Sequence, residues 1–132
     1  MSVEPRQALY VHLRGDPGVQ AAVGDRLYQR RVPAGADKPL ILIQPLISRV
    51  PAADLTTVAW RRARIQVTAM ADSQPEAEAA ARAVFDAVEG YTGMMAGALE
   101  VLLATVESDR QVEQEGIDEI YHHVDVMITY KE

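Results

Sequence analysis

Arg62-Ala63-Arg64-Ile65-Gln66-Val67-Thr68-Ala69-Met70 alternates polar and apolar side chains and is followed at once by Asp72-Ser73-Gln74-Pro75-Glu76. Successive side chains of a strand point to opposite faces. Ala63, Ile65, Val67 and Ala69 therefore share one face, and Arg62, Arg64, Gln66 and Thr68 the other. That pattern predicts a half-buried strand with one face on the core. The next residues open a helix. Ser73 and Glu76 have capping-box spacing, and Pro75 is tolerated only in a first turn. Ala77, Ala80, Ala81, Val84, Phe85 and Val88 recur at helical spacing, and Gly90 supplies the stop. An inner stripe made mostly of alanine lets such a helix approach a sheet closely.

Downstream, residues 91–97 form a connection containing glycine and methionine, and 99–106 is a β-competent run blurred by Glu100 and Ala104. Residues 107–116 are polar and acidic, as in a turn or protruding hairpin loop. Residues 120–130 alternate again. Ile120, Val124, Val126, Ile128 and Tyr130 oppose Tyr121, His123, Asp125, Met127 and Thr129, with His122 interrupting the apolar face. Upstream, Ala8, Leu9, Val11 and Leu13 mark a helix over 4–14. Asp16 suits an N-cap, Pro17 a first helical position and Gly24 a stop, giving a second, short helix. Residues 26–29 form a short extended piece, 32–38 are irregular, and 40–43 are a fully apolar strand. Pro45 cannot donate to a ladder, so the chain must bend, bulge or lie at an edge there. Residues 48–58 read as a loop or hairpin tip. The expected fold is a single α+β domain over 1–132. It has two layers: a mainly antiparallel mixed sheet of about four strands, with one long helix and the N-terminal helices on one face.

Composition narrows the function. With no cysteine, thiolate metal sites, disulfides and cysteine nucleophiles are excluded. Aromatic residues make up 5% and the formal net charge is -6. Binding to nucleic acid by stacking or by phosphate neutralisation needs the opposite on both counts. Residues 1–6 lack the basic-then-apolar layout of a signal peptide. The longest apolar run, 39–47, is broken by Gln44 and Pro45 and is far short of the ~20 residues of a membrane span. These readings lead to the expectation of a soluble intracellular protein with no membrane partner.

The residue types that carry chemistry do not assemble into a catalytic pattern. His122 and His123 are adjacent on a strand and point apart, so they do not share a metal. None of Ser2, Ser48, Ser73 and Ser108 lies in a glycine-flanked elbow, and Ser73 is better used as a cap. The acids between Glu107 and Glu119 lack the spacing of a calcium loop. No enzyme activity, cofactor or metal is expected. There are two basic groups, Arg30-Arg31 and Arg61-Arg62-Arg64, and in the second Arg62 and Arg64 share the outward strand face. Arg30, Arg31, Arg62 and Arg64 join Trp60, Glu113 and Glu115 as candidates for contact with partners.

Three stretches, taken together, resemble the tail terminator or tail completion (head–tail joining) proteins of long-tailed phages and gene transfer agents. They are the short helix and extended segment over 16–28, the strand and alanine-rich helix over 64–88, and the closing run Tyr121-His122-His123-Val124-Asp125-Val126-Met127-Ile128. The likeness spans nearly the whole chain; residues 50–60 depart from it. The resemblance implies a small structural protein assembled as a hexameric ring on the last ring of the tail tube. It would stop tube polymerisation and offer a surface to the head connector. Its partners would be its own copies, tube protein and connector, with DNA passing the lumen without specific binding. Assembly in the host cytoplasm and a place at the head-proximal end of the virion's tail are implied with it. A second reading, from the α+β pattern alone, is a small dimeric ligand-binding or regulatory domain of ferredoxin-like type.

Overall fold

The computed structural model describes residues 4–51, 60–113 and 119–131. Its elements run α1 (Pro5–Arg14), α2 (Pro17–Val23), β1 (Leu27–Gln29), β2 (Leu40–Pro51), β3 (Trp60–Ala71), α3 (Gln74–Val88), β4 (Tyr91–Met95), β5 (Leu99–Glu113) and β6 (Ile120–Lys131). The α+β class with a mixed, mainly antiparallel sheet is as expected. The strand number is not: among the described residues the sheet has six strands in the order β1-β2-β3-β6-β5-β4. Among the described strands only β1 and β2 run parallel.

β3 is the sheet's centre, and its alternation is realised. Ala63, Ile65, Val67, Ala69 and Ala71 are buried on the side of the helices. The first four meet Val124, Val126, Ile128 and Tyr130 of β6 in one core with Leu9 and Leu13 of α1, Val19 and Val23 of α2, and Val84 and Val88 of α3. Ala77 and Ala80 are wholly buried, so the small-residue stripe of α3 lies against the sheet. Phe85 departs from the expected stripe. It is only partly buried and stacks under Arg82, whose guanidinium carbon is 5.3 Å from the ring centre.

Both ends of α3 also refine the reading. Ser73 is the N-cap by backbone conformation, yet its hydroxyl donates to Glu76 Oε1 at 2.9 Å instead of bonding a backbone N–H. The expected capping box is therefore incomplete. At the other end Gly90, at φ +78°, takes a conformation that a side chain disfavours. Its N–H donates to Ala104 O at 2.9 Å, turning the chain straight into β4. The stretch 91–97 is thus a strand and a turn, not a plain connection.

Two more expected loops are strand. β2 continues past Pro45 to Pro51, with register shifts between Ile43 and Leu46 and between Leu46 and Ser48. The proline sits where β1 has already ended, so its missing N–H leaves no ladder bond unmade. Residues 52–59, the rest of the expected tip, lie outside the described residues. β5 likewise runs on to Glu113, paired with Ile120, so the expected acidic loop is shorter than 107–116.

α2 is held at its start by Asp16, whose carboxylate accepts from Val19 N–H at 3.0 Å. Replacing Asp16 by alanine is expected to cost about 1 kcal/mol. Denaturant unfolding should show a lower midpoint at unchanged slope.

Candidate functional site

The helix-free face of the sheet is tied by two rows of polar side chains. Gln44 Nε2 on β2 donates to Thr68 Oγ1 on β3 at 3.3 Å, and Thr68 Oγ1 lies 2.9 Å from His123 Nδ1 on β6. In the second row Asp125 on β6 accepts from Gln66 Nε2 at 3.4 Å and from Ser108 Oγ at 2.9 Å, and Arg110 is 3.8 Å away. Cross-strand pairs of this kind fix register. Thr68, which alternation places on the outward face with Arg62 and Arg64, is 1% exposed. Burial, with the positive charge of Arg110 nearby, holds His123 below the usual histidine range.

Where β2 begins and β3 ends, Lys38 bonds Glu119 and lies 3.6 Å from Asp72, and Tyr121 OH donates to Glu119 Oε2 at 2.6 Å. The hydrogen bond from Lys38, then that from Tyr121, lowers the Glu119 pKa, while Glu119 raises those of Lys38 and Tyr121. Glu119's contribution to stability is present above the ordinary carboxylate pKa and is lost as pH falls through its lowered one. Lys38's is lost only as pH rises through its raised one. The latch therefore holds across neutral pH.

On the helix side an open groove of about 350 Å³ separates α3 from the far parts of β5 and β6. Glu78, Arg82 and Phe85 form one wall, and Asp109, His122 and Val124 the other. His122 Nε2 is 3.1 Å from Asp109 Oδ1, and its buried Nδ1 has no partner among the described residues. Among the described residues the groove lining carries two acids, Arg82 and His122 but no serine or threonine. His123 stands on the opposite face of β6, bonded to Thr68. His12, the third histidine, lies 2.8 Å by Nε2 from Ala87 O and packs edge-on against Tyr91 at 4.6 Å. Among the described residues no three histidine, aspartate or glutamate side chains gather as metal ligands would. No described helix is long and apolar enough to cross a membrane.

The residues singled out for partner contact are spread across the sheet. Arg30 and Arg31 are exposed just after β1, where Arg30 N–H donates to Ile43 O at 3.1 Å. Arg62 is exposed and Arg64 half-buried on the helix-free face of β3, and Trp60, at the strand's start, is half-buried. Arg62 pairs with Val50 on the same β2 that Arg30 touches at Ile43. The two basic groups are thus roughly 20 Å apart along one strand. Glu113 ends β5, and Glu115 lies outside the described residues.

Sequence reasoning missed one surface feature. A register shift between Val101 and Leu103 turns Leu103 off the core face, opposite Thr129. Leu102 and Leu103 are 51% and 43% exposed, and Met94 on β4 is 55% exposed. The signal was the doubled leucine itself, which no strict alternation can bury on one face.

The model of the family described as tail completion protein gp17 matches residues 7–131. Among solved structures, a chain of the one titled "Virion of native gene transfer agent (GTA) particle" superposes with a TM-score of 0.81, covering 97% of this chain and 95% of that chain. At 22% identity that likeness is one of fold. No curated protein sequence matches.

Proposed function

Because the chain belongs to the tail completion protein gp17 family, and so has a structural role in a phage-type tail, we propose that it closes the head-proximal end of the tail tube. Copies assemble there in the host cytoplasm as a ring, a hexamer in this reading. The ring stops tube polymerisation and presents its free face to the head connector. DNA crosses the lumen without sequence-specific contact, and like charge on a chain of net charge -6 keeps it from sticking.

The observation that carries this reading is the family match over 7–131, which takes in every strand and nearly all of every helix. Two features support it. Stretches of β2 and β5 have a strand on one side only among the described residues, and open edges are a common means of association between subunits. Exposed Arg30, Arg31, Arg62 and Leu103 add surface for protein partners.

The test is to inactivate the gene in the cell that makes the particles and to image the products by electron microscopy. Expected are tubes of excessive and uneven length, unattached to heads, with normal particles restored by a complementing copy. Tails of normal length joined to filled heads would overturn the proposal.

A further inference from the structure

Charge is divided across this sheet. Residues 26–51 and 60–64, which build β1, β2 and the start of β3, hold eight arginines and lysines against one aspartate. Residues 74–113, which build α3, β4 and β5, hold eight acids against two arginines. In the strand order β1-β2-β3-β6-β5-β4, β1 with β2 and β5 with β4 form opposite wings, and α3 lies over β3 and β6 between them, with Glu78 facing Asp109 of β5 across the groove. On the basic wing Arg30, Arg31 and Arg62 are exposed, and none has a side-chain partner among the described residues. On the acidic wing Glu78, Glu107 and Asp109 are exposed. Both arginines of that wing are engaged within the chain, Arg82 with Asp86 at 3.3 Å and Arg110 with Asp125 at 3.8 Å.

Each wing also ends in open strand edge. β1 covers β2 only as far as Ile43. β4 covers β5 only as far as Ala104, and Glu89 Oε2 accepts the next outward N–H, that of Val106, at 2.7 Å. Beyond it β5 continues to Glu113 with only β6 beside it among the described residues. The groove between α3 and β5 borders that edge, with Phe85 and Val124 as its apolar part and Glu78 and Asp109 as its acidic part.

We propose that this groove and the β5 edge receive the basic wing of a second copy of the chain. Arg30, Arg31 and Arg62 of one copy meet Glu78, Glu107 and Asp109 of the next. A two-fold contact through either wing would set like charges against each other, which is costly. Contact between unlike wings repeats in one direction, and if the rotation closes it yields a ring. The proposal rests on the ring reading above and names the surfaces that meet in it.

Charge exchange in the full chain tests it. One variant carries Arg30→Glu, Arg31→Glu and Arg62→Glu; a second carries Glu78→Lys, Glu107→Lys and Asp109→Lys; a third carries all six. Association is followed by sedimentation at low and high salt, alone and on assembled tail tube protein. Wild-type association should weaken as salt rises. Each single-wing variant alone should associate at least ~10-fold more weakly. The equimolar mixture of the two should regain wild-type association, because alternating copies then match at every contact. The six-substituted chain should regain it alone, which also shows that the substitutions leave the fold intact. Single-wing variants that associate like wild type, or a mixture that stays as weak as its parts, would overturn the wing assignment and leave the ring standing. Wild-type protein that remains a monomer both free and on tube would overturn the ring itself.

Discussion

Ile65→Ala is expected to lower stability by roughly 2–5 kcal/mol, the cost of emptying a well-packed site that collapses only in part. Ile65 is wholly buried at the middle of β3, paired with Leu46 on one side and Val126 on the other. It faces the core where sheet and helices meet. Folded domains have a total stability of about 5–15 kcal/mol. The change therefore removes a large share of it, with the melting temperature falling by roughly 10 °C. Substituting the next residue along, Gln66→Ala, should cost less than about 1 kcal/mol, because Gln66 is half-buried on the other face and makes one long hydrogen bond. Urea unfolding of both variants measures the contrast. Equal losses at the two positions would mean that the alternation of β3 does not separate core from surface.

That contrast also explains what could be read in the chain. β3, β6 and α3 were legible because each has one face on the core, so burial imprints a period on the sequence. Where burial is not one-sided the period fades. In the far half of β5, Ser108, Asp109 and Arg110 are all exposed, and composition there resembles a loop although the strand continues. β4 is an edge strand with only Met95 buried, too little to mark a pattern. β2 hides behind Pro45, because a lone proline cannot show that the ladder on its outer side has already ended. The candidate surfaces divide in the same way. Basic and acidic clusters were visible as composition. Their arrangement as opposite wings was not, since it follows from β3 pairing with β6 and not with its chain neighbour. His122 was legible as an interruption of an apolar face; the groove it lines needs α3 set beside it.

Thr68→Val should cost roughly 1–3 kcal/mol although it hardly changes side-chain volume. The hydroxyl of Thr68 joins three strands. Gln44 Nε2 donates to it, and in the arrangement where its own hydrogen points at His123 Nδ1 the imidazole is the tautomer protonated on Nε2. Valine leaves the Gln44 amide and His123 Nδ1 without that partner in a site where Thr68 itself is 1% exposed. A hydrogen bond to the neutral ring disfavours the charged one, so removing it should raise the His123 pKa towards the ordinary histidine value. The folded-state pKa of His123 is depressed, so its contribution to stability is present above the ordinary value and is lost as pH falls below it. The variant should then lose less stability on acidification than the wild type, even though it is less stable at neutral pH. Imidazole titration by NMR and unfolding at several pH values would measure both effects. A variant with an unchanged His123 titration would show that burial alone sets the pKa and that the Thr68 hydroxyl has no part in it.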